Sequence, residues 1–171
     1  KIKKQLGYLA ENNPLYEEMY VKEFLLFVAK IHQLNNPQDA VNDVIGKVGL
    51  TPEKGKKIGQ LSKGYQQRVG IAQAIIHDPD VLILDEPTSG LDPLQLDEIR
   101  TLIKTLGKNK TVLLSTHIMQ EVESICDRII VIKKGEIVAD QGIKDDLNRS
   151  DEQVIVVEFD QEPKELSLIH I

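Results

Sequence analysis

Two apolar runs, VLILD at 81–85 and TVLLSTH at 111–117, limit the fold more than any other feature of this sequence. Each is an unbroken aliphatic segment with a polar end, the pattern of a strand buried on both faces of a parallel sheet. Parallel neighbours cannot be joined by a tight turn and need a crossover, usually a helix. The residues between the runs supply one. Asp92 can cap a helix that has Pro93 at its first position, Leu96, Ile99, Ile103 and Leu106 line one face of it, and Gly107 stops it. A second helix is expected after Ile118. Strand, helix, strand and helix in this order make a right-handed crossover unit, so the fold class is α/β with a parallel sheet.

The flanking segments extend the unit in both directions. RIIVIKKGEIVAD at 128–140 reads as two strands joined at Lys134-Gly135 in a hairpin. EQVIVVEF at 152–159 alternates like one more strand, and the polar spacer KDDLNRSD ahead of it suggests a boundary, with one domain over 1–147 and the start of a C-terminal extension over 148–171. The closing KELSLIHI does not continue that alternation, and its last residues are expected to be non-native. Toward the other end, Ile2 to Leu9 predict a short strand and Glu11 to Pro14 a loop. MYVKEFLLFVAKIHQL at 19–34 places Val21, Phe24, Leu25, Val28 and Ile31 at helical spacing. A second helix is expected from Asn36 to Val48, with Pro37 in its first turn and Gly49 as its stop, and a third from about Gly64 to just ahead of His77-Asp78-Pro79. Together they form a compact helical insert over about 12–76.

Composition excludes several classes of function. At 171 residues, 41% hydrophobic and 28% charged, the chain can hold one domain with a core, or one domain and part of another. A formal net charge of −6 argues against a nucleic-acid partner, which requires clustered Lys and Arg; the short basic run Lys54 to Lys57 reads as a solvated face. The single Cys126 excludes an internal disulfide or a Cys-rich metal site, fits a reducing compartment, and reads as a small buried hydrophobe at a helix end. No apolar run approaches the roughly 18 residues that cross a bilayer, and KIKKQLGYLA does not read as a signal peptide. Work at a membrane would therefore need another subunit to do the crossing.

Chemistry concentrates in four short segments. Asp85 and Glu86 stand at the carboxyl end of the first buried strand, the edge at which open α/β sheets bind ligands. Asp85 suits Mg²⁺ held through water, because Mg²⁺ keeps most of its hydration shell, and Glu86 suits orienting or deprotonating an attacking water in phosphoryl transfer. In LSKGYQQRVG at 61–70, Ser62 offers a hydroxyl and Gly64 an unobstructed backbone N–H at a helix start, where unpaired N–H groups and the dipole favour a phosphate; Gln66, Gln67 and Arg68 lengthen the match. Ser89, Gly90 and Asp92 form a tight turn beside the acids, with Asp92 also the helix cap. His117 ends the second buried strand, beside Asp85 in the sheet, within reach of a γ-phosphate or its attacking water. His32, His77 and His170 have no suggestive neighbours in the sequence, and no function is assigned to them.

The order LSKGYQQ, LILDEP, SGLD, STH resembles the ABC-type ATPases, the nucleotide-binding subunits of ATP-driven transporters, across residues 1 to about 147. The resemblance implies a P-loop NTPase-like fold with a helical signature subdomain, ATP and Mg²⁺ as cofactors, and ATP hydrolysis coupled to transport. LSKGYQQ would be the signature motif, acting through Ser62, Gly64 and Gln66 on ATP held by a second ATPase subunit packed head to tail. LILDE would be the Walker B strand, with Asp85 toward Mg²⁺ and Glu86 catalytic; Ser89, Gly90 and Asp92 would belong to the D-loop, and His117 would be the switch histidine. GYLAE at 7–11 matches the Q-loop position, although Glu11 stands where the family usually has glutamine. A membrane-spanning permease would be the other partner, docked near Glu11 to Glu23, which would place the protein peripherally on the cytoplasmic face of a bacterial inner membrane. GYLAENNPLYEEMYVKEFLLFVAK further resembles the export-type branch, including subunits associated with gliding motility. The phosphate loop G-x-x-x-x-G-K-S/T is absent from the sequence. Gly55-Lys56-Lys57 does not substitute, having Lys57 where a hydroxyl is needed and Leu50 in place of the first glycine. The chain is accordingly expected to be an N-terminally truncated piece that does not hydrolyse ATP alone. The alternatives are a soluble ABC ATPase of DNA repair or the ribosome, or a catalytically inert fragment.

Overall fold

The computed structural model describes residues 2–143 and 168–170. The sheet is organised around β2 (Val81–Asp85), which pairs in parallel with β1 (Leu6–Leu9) on one side and β3 (Thr111–Thr116) on the other. The pairing of Asp85 with Ser115 brings the carboxyl ends of β2 and β3 level, as the crossover reading required. Helix α4 (Pro93–Gly107) makes that crossover: Asp92 caps it by accepting from the Gln95 N–H at 2.9 Å, and Ile99, Leu102 and Ile103 are its buried face. Beyond β3, α5 (Met119–Ile125) leads to β4 (Arg128–Lys133) and β5 (Glu136–Gly142). The last two form the expected hairpin, its turn made by Lys134 and Gly135 at φ 53° and 82°. Two consecutive positive φ values give a primed turn that matches the strand twist. The short β6 (Leu168–His170) lies between β3 and β4, antiparallel to both, completing the order β1-β2-β3-β6-β4-β5.

The helical insert contains α1 (Val21–Ile31), α2 (Pro37–Lys47) and α3 (Lys63–Ile75), with two 3-10 turns, Thr51–Glu53 and Ile58–Gln60, between the second and third. Val21, Phe24, Leu25 and Val28 of α1 pack with Val41, Val44 and Ile45 of α2 and Val69, Ile71 and Ala72 of α3 in a core continuous with Leu9, Leu82, Leu84 and Leu114 of the sheet. Because α3 also lies on β1, Gly7 has no room for a side chain: a Cβ there would collide with the carbonyl oxygen of Ala74.

Two expectations need correction. Ile2 to Leu9 is not one strand: Ile2–Gln5 forms a 3-10 turn, and only Leu6–Leu9, opposite Val81 to Leu84, enters the ladder. VLILD is not covered on both faces by the described residues. Leu82 and Leu84 are fully buried, whereas Val81, Ile83 and Asp85 on the other face are half-buried, and Tyr8 beside them is 58% exposed. The apolar run indicated how much burial the strand can accept; α3 and α4 supply it on one side. The expected strand at 152–159 lies outside the described residues.

Candidate functional site

Past the end of β2 the chain turns sharply at Glu86, whose φ of 46° is left-handed backbone that a non-glycine residue adopts only under constraint. Its N–H donates to the carbonyl of Ser115 at 3.0 Å, and its own carbonyl accepts from Ser89 N–H at 3.1 Å. Glu86 therefore diverges from Asp85 by the geometry of this turn, since it lies past the end of the strand. One carboxylate oxygen, Oε1, lies 2.8 Å from Nδ1 of His117, just past the end of β3, and the other, Oε2, is buried without a hydrogen-bond partner among the described residues. The hydrogen bond and charge of Glu86 hold His117 above the ordinary histidine range; burial opposes this slightly, and the charges of Glu121 and Glu11 add to it.

Asp85 sits half-buried at the strand end next to this pair. The donor chemistry fits a Mg²⁺–phosphate group: the Asp85 carboxylate at the strand end is a hard oxygen ligand of the kind Mg²⁺ takes through water.

The second cluster surrounds the start of α3. Ser62 caps that helix, its Oγ accepting from Tyr65 N–H at 3.4 Å, while Nε2 of Gln95 reaches the same oxygen at 3.4 Å from the first turn of α4. Gly64 is buried against Gln95, and a Cβ on it would lie 2.8 Å from the Gln95 amide carbon. Gly90, at φ 67°, carries the Lys63 ammonium against its Cα. The start of α3 and the 89–92 turn are thus brought together within one chain. Gln66 gives its amide nitrogen to the Ile58 carbonyl at 3.2 Å, fixing the turn ahead of the helix. Exposed Glu11 follows β1 at the same edge of the sheet as His117.

Sequence reasoning missed Gln95, Lys63 and the buried pair Thr116–Glu121. A Gln or Lys beside a glycine carries no signal until the fold shows what it touches. Glu121 had a readable clue, an acid flanked by the apolar residues of an amphipathic helix. His32 and His77, left without a function, stack ring on ring at 3.9 Å and pin the end of α1 to the turn after α3.

The profile of the ABC transporter family matches residues 1–89, just over half of the sequence and inclusive of Ser62, Gly64, Asp85 and Glu86. The chain belongs to the ABC transporter family. Among its relatives, an ABC transporter ATP-binding protein of Synechocystis is 37% identical over 166 residues, covering 94% of this chain and 47% of the relative. The bacitracin transport ATP-binding protein BcrA of Bacillus licheniformis is 39% identical, over 81% of this chain and 45% of its own length. NatA of Bacillus subtilis, an ABC transporter ATP-binding protein, is 37% identical, over 81% and 58%. The chain thus spans about half the length of the curated relatives it matches. Its mixed fold with a parallel sheet is that of a P-loop NTPase-like ABC ATPase domain. Among the described residues, no helix is long and apolar enough to cross a membrane.

Proposed function

We propose that this chain is the signature and Walker B portion of an ATPase subunit that energises an export-type membrane transporter. The observation that carries the reading is the 2.8 Å contact between Glu86 and His117 at the level carboxyl ends of β2 and β3. In that arrangement Glu86 would orient the attacking water or accept its proton, and His117 would donate toward the γ-phosphate. Asp85 would hold Mg²⁺ through water, and the metal, when bound, neutralises developing charge on the phosphate oxygens. Ser62 and the Gly64 N–H would meet a γ-phosphate held by a second ATPase subunit, with Gln66 beside them and Ser89, Gly90 and Asp92 shaping the adjoining turn. The phosphate loop and its lysine would come from further polypeptide, and Tyr8, Ile83 and Leu113 on the half-covered face of the sheet are a surface that such polypeptide would cover. A permease partner docked near Glu11 to Glu23 would place the protein peripherally on the cytoplasmic side of a bacterial inner membrane. The relative named for bacitracin transport supports a transporter role; the export-type branch and gliding motility rest on the GYLAENNPLYEEMYVKEFLLFVAK resemblance.

The test is Mg²⁺–ATP turnover by the complete subunit assembled with its membrane partner. Glu86→Gln should abolish turnover while ATP still binds, and Ser62→Ala should weaken ATP-driven association of the two ATPase subunits. Turnover that survives Glu86→Gln refutes the assignment. The 171-residue polypeptide alone should show no turnover, since the β- and γ-phosphate contacts of the loop are missing from it.

A further inference from the structure

Glu121 is fully buried, although Glu123, two residues on in the same short helix, is exposed to solvent. A carboxyl group removed from water costs free energy unless it is hydrogen-bonded, and packing alone would be better met there by an apolar side chain. Its position therefore calls for a polar reason. Oε2 of Glu121 lies 2.9 Å from Oγ1 of Thr116, itself fully buried at the end of β3, and the same hydroxyl lies 3.2 Å from the N–H of Ile118. A backbone N–H can only donate, so Ile118 occupies a lone pair of the hydroxyl and the single hydroxyl proton is left for Glu121. The relay runs from Ile118 N–H to Thr116 to Glu121 and brackets residue 117 on both sides. The His117 side chain is 64% exposed, and the contact with Glu86 is its one hydrogen bond among the described residues, so packing does not hold the ring. Its aim comes from the backbone that carries it.

The geometry points to Glu121 as the positioning residue of this site: through Thr116 it holds the β3–α5 turn that directs His117 onto Glu86. The inference rests on the reading of Glu86 and His117 as the reacting pair. The charged groups that face His117 are Glu86 after β2, Glu121 on α5 and Glu11 after β1. Glu121 touches neither the imidazole nor a reacting atom in this arrangement, and acts through Thr116.

The test is an NMR titration of the histidine rings in the 171-residue chain, with His32 and His77 as internal reporters of folding. In the wild type the His117 midpoint lies above that of ordinary histidine. Thr116→Val and Glu121→Leu break the relay and should bring it down toward the ordinary value. Thr116→Ser keeps the hydroxyl and Glu121→Gln keeps an acceptor, so both should hold most of the shift. An unchanged midpoint in folded Thr116→Val overturns the proposal. So does a Glu121→Gln midpoint as low as that of Glu121→Leu, because the carboxylate would then act by its charge at a distance. Should Glu121→Leu lose the His32 and His77 signatures, the Thr116→Val and Thr116→Ser pair decides alone. Failure of the ATPase reading would instead appear as turnover insensitive to Glu86→Gln, which this titration does not measure.

Discussion

Arg68, in α3, ties that helix to two others, and replacing it with methionine should cost a calculable amount of stability. Nη1 donates to the Val48 carbonyl at 2.6 Å, at the C-terminal end of α2, and Nη2 donates to Glu98 of α4 at 2.7 Å. The Arg68 side chain is 13% exposed and Glu98 53%, so the two bonds differ in value. A largely buried hydrogen bond from a charged donor contributes about 1.5–3 kcal/mol. The bond to a half-exposed carboxylate is an ordinary surface pair, worth about 0.2–1 kcal/mol. Methionine keeps most of the aliphatic volume and removes both bonds, so the expected loss is about 2–4 kcal/mol, most of it from the Val48 carbonyl. The fit around the guanidinium is close: Gly49, at φ 72°, would place a Cβ 2.8 Å from Nη1. Urea unfolding of Arg68→Met, Glu98→Gln and the double variant measures the partition, provided the slope with denaturant is constant. If Glu98→Gln costs as much as Arg68→Met, or if Arg68→Met costs less than about 1 kcal/mol, the assignment of the energy to the α2 end is wrong.

Gly90→Ala should cost about 1–2 kcal/mol from left-handed backbone strain alone, and Lys63→Ala should not restore it in the double variant, because the exposed lysine tip can move aside; recovery of stability would show that the steric contact dominates. Leu84→Ala, at a fully buried position in the central strand, should lower unfolding stability by about 2–5 kcal/mol in the same denaturation assay. Glu86→Gln should lower the His117 midpoint seen by NMR. Because the folded pKa of His117 is raised, the stability contributed by this pair is present below the ordinary histidine pKa and fades as pH rises through the folded value, so His117→Asn should converge with the wild type at the alkaline end of a pH series. Burial pushes the Cys126 thiol up to about 11, so alkylation of the native protein at neutral pH should be much slower than that of free cysteine, and a rapid reaction would contradict the burial.

What could be read from the sequence were the features that local chemistry decides. The crossover helix was legible because Asp92, Pro93 and Gly107 punctuate it and Ile99 and Ile103 recur on its buried face. The hairpin was legible because Lys134-Gly135 interrupts an otherwise apolar stretch, and the pairing of β2 with β3 followed once both runs were read as parallel. The cover over β2 was not legible. An aliphatic run shows that both faces of a strand can be buried, and which face is buried depends on where α3 and α4 land. The turn at Glu86 was not legible, since no propensity predicts a glutamate at positive φ; a hydrogen bond to Ser115 on the neighbouring strand holds it there. Gln95 touches Ser62 across 33 positions of sequence, a contact that periodicity within either helix cannot report.

The seven residues from Glu86 to Asp92 join the two clusters, and their hydrogen bonds make that link short and stiff. The Glu86 carbonyl accepts from Ser89 N–H, the Thr88 carbonyl accepts from Leu91 N–H, and Asp92 closes the segment by capping α4. One end holds the carboxylate that meets His117. The other end rests on the start of α3 through Gly90 against Lys63, and Gln95 in the first turn of α4 adds its contacts with Ser62 and Gly64. Thr88 within the turn is 2% exposed, so the segment is anchored in the protein and does not swing free as an exposed loop would. The stretch that carries Glu86 is therefore held at both ends, by the Ser115 carbonyl at Glu86 and by the Asp92–Gln95 cap at the start of α4.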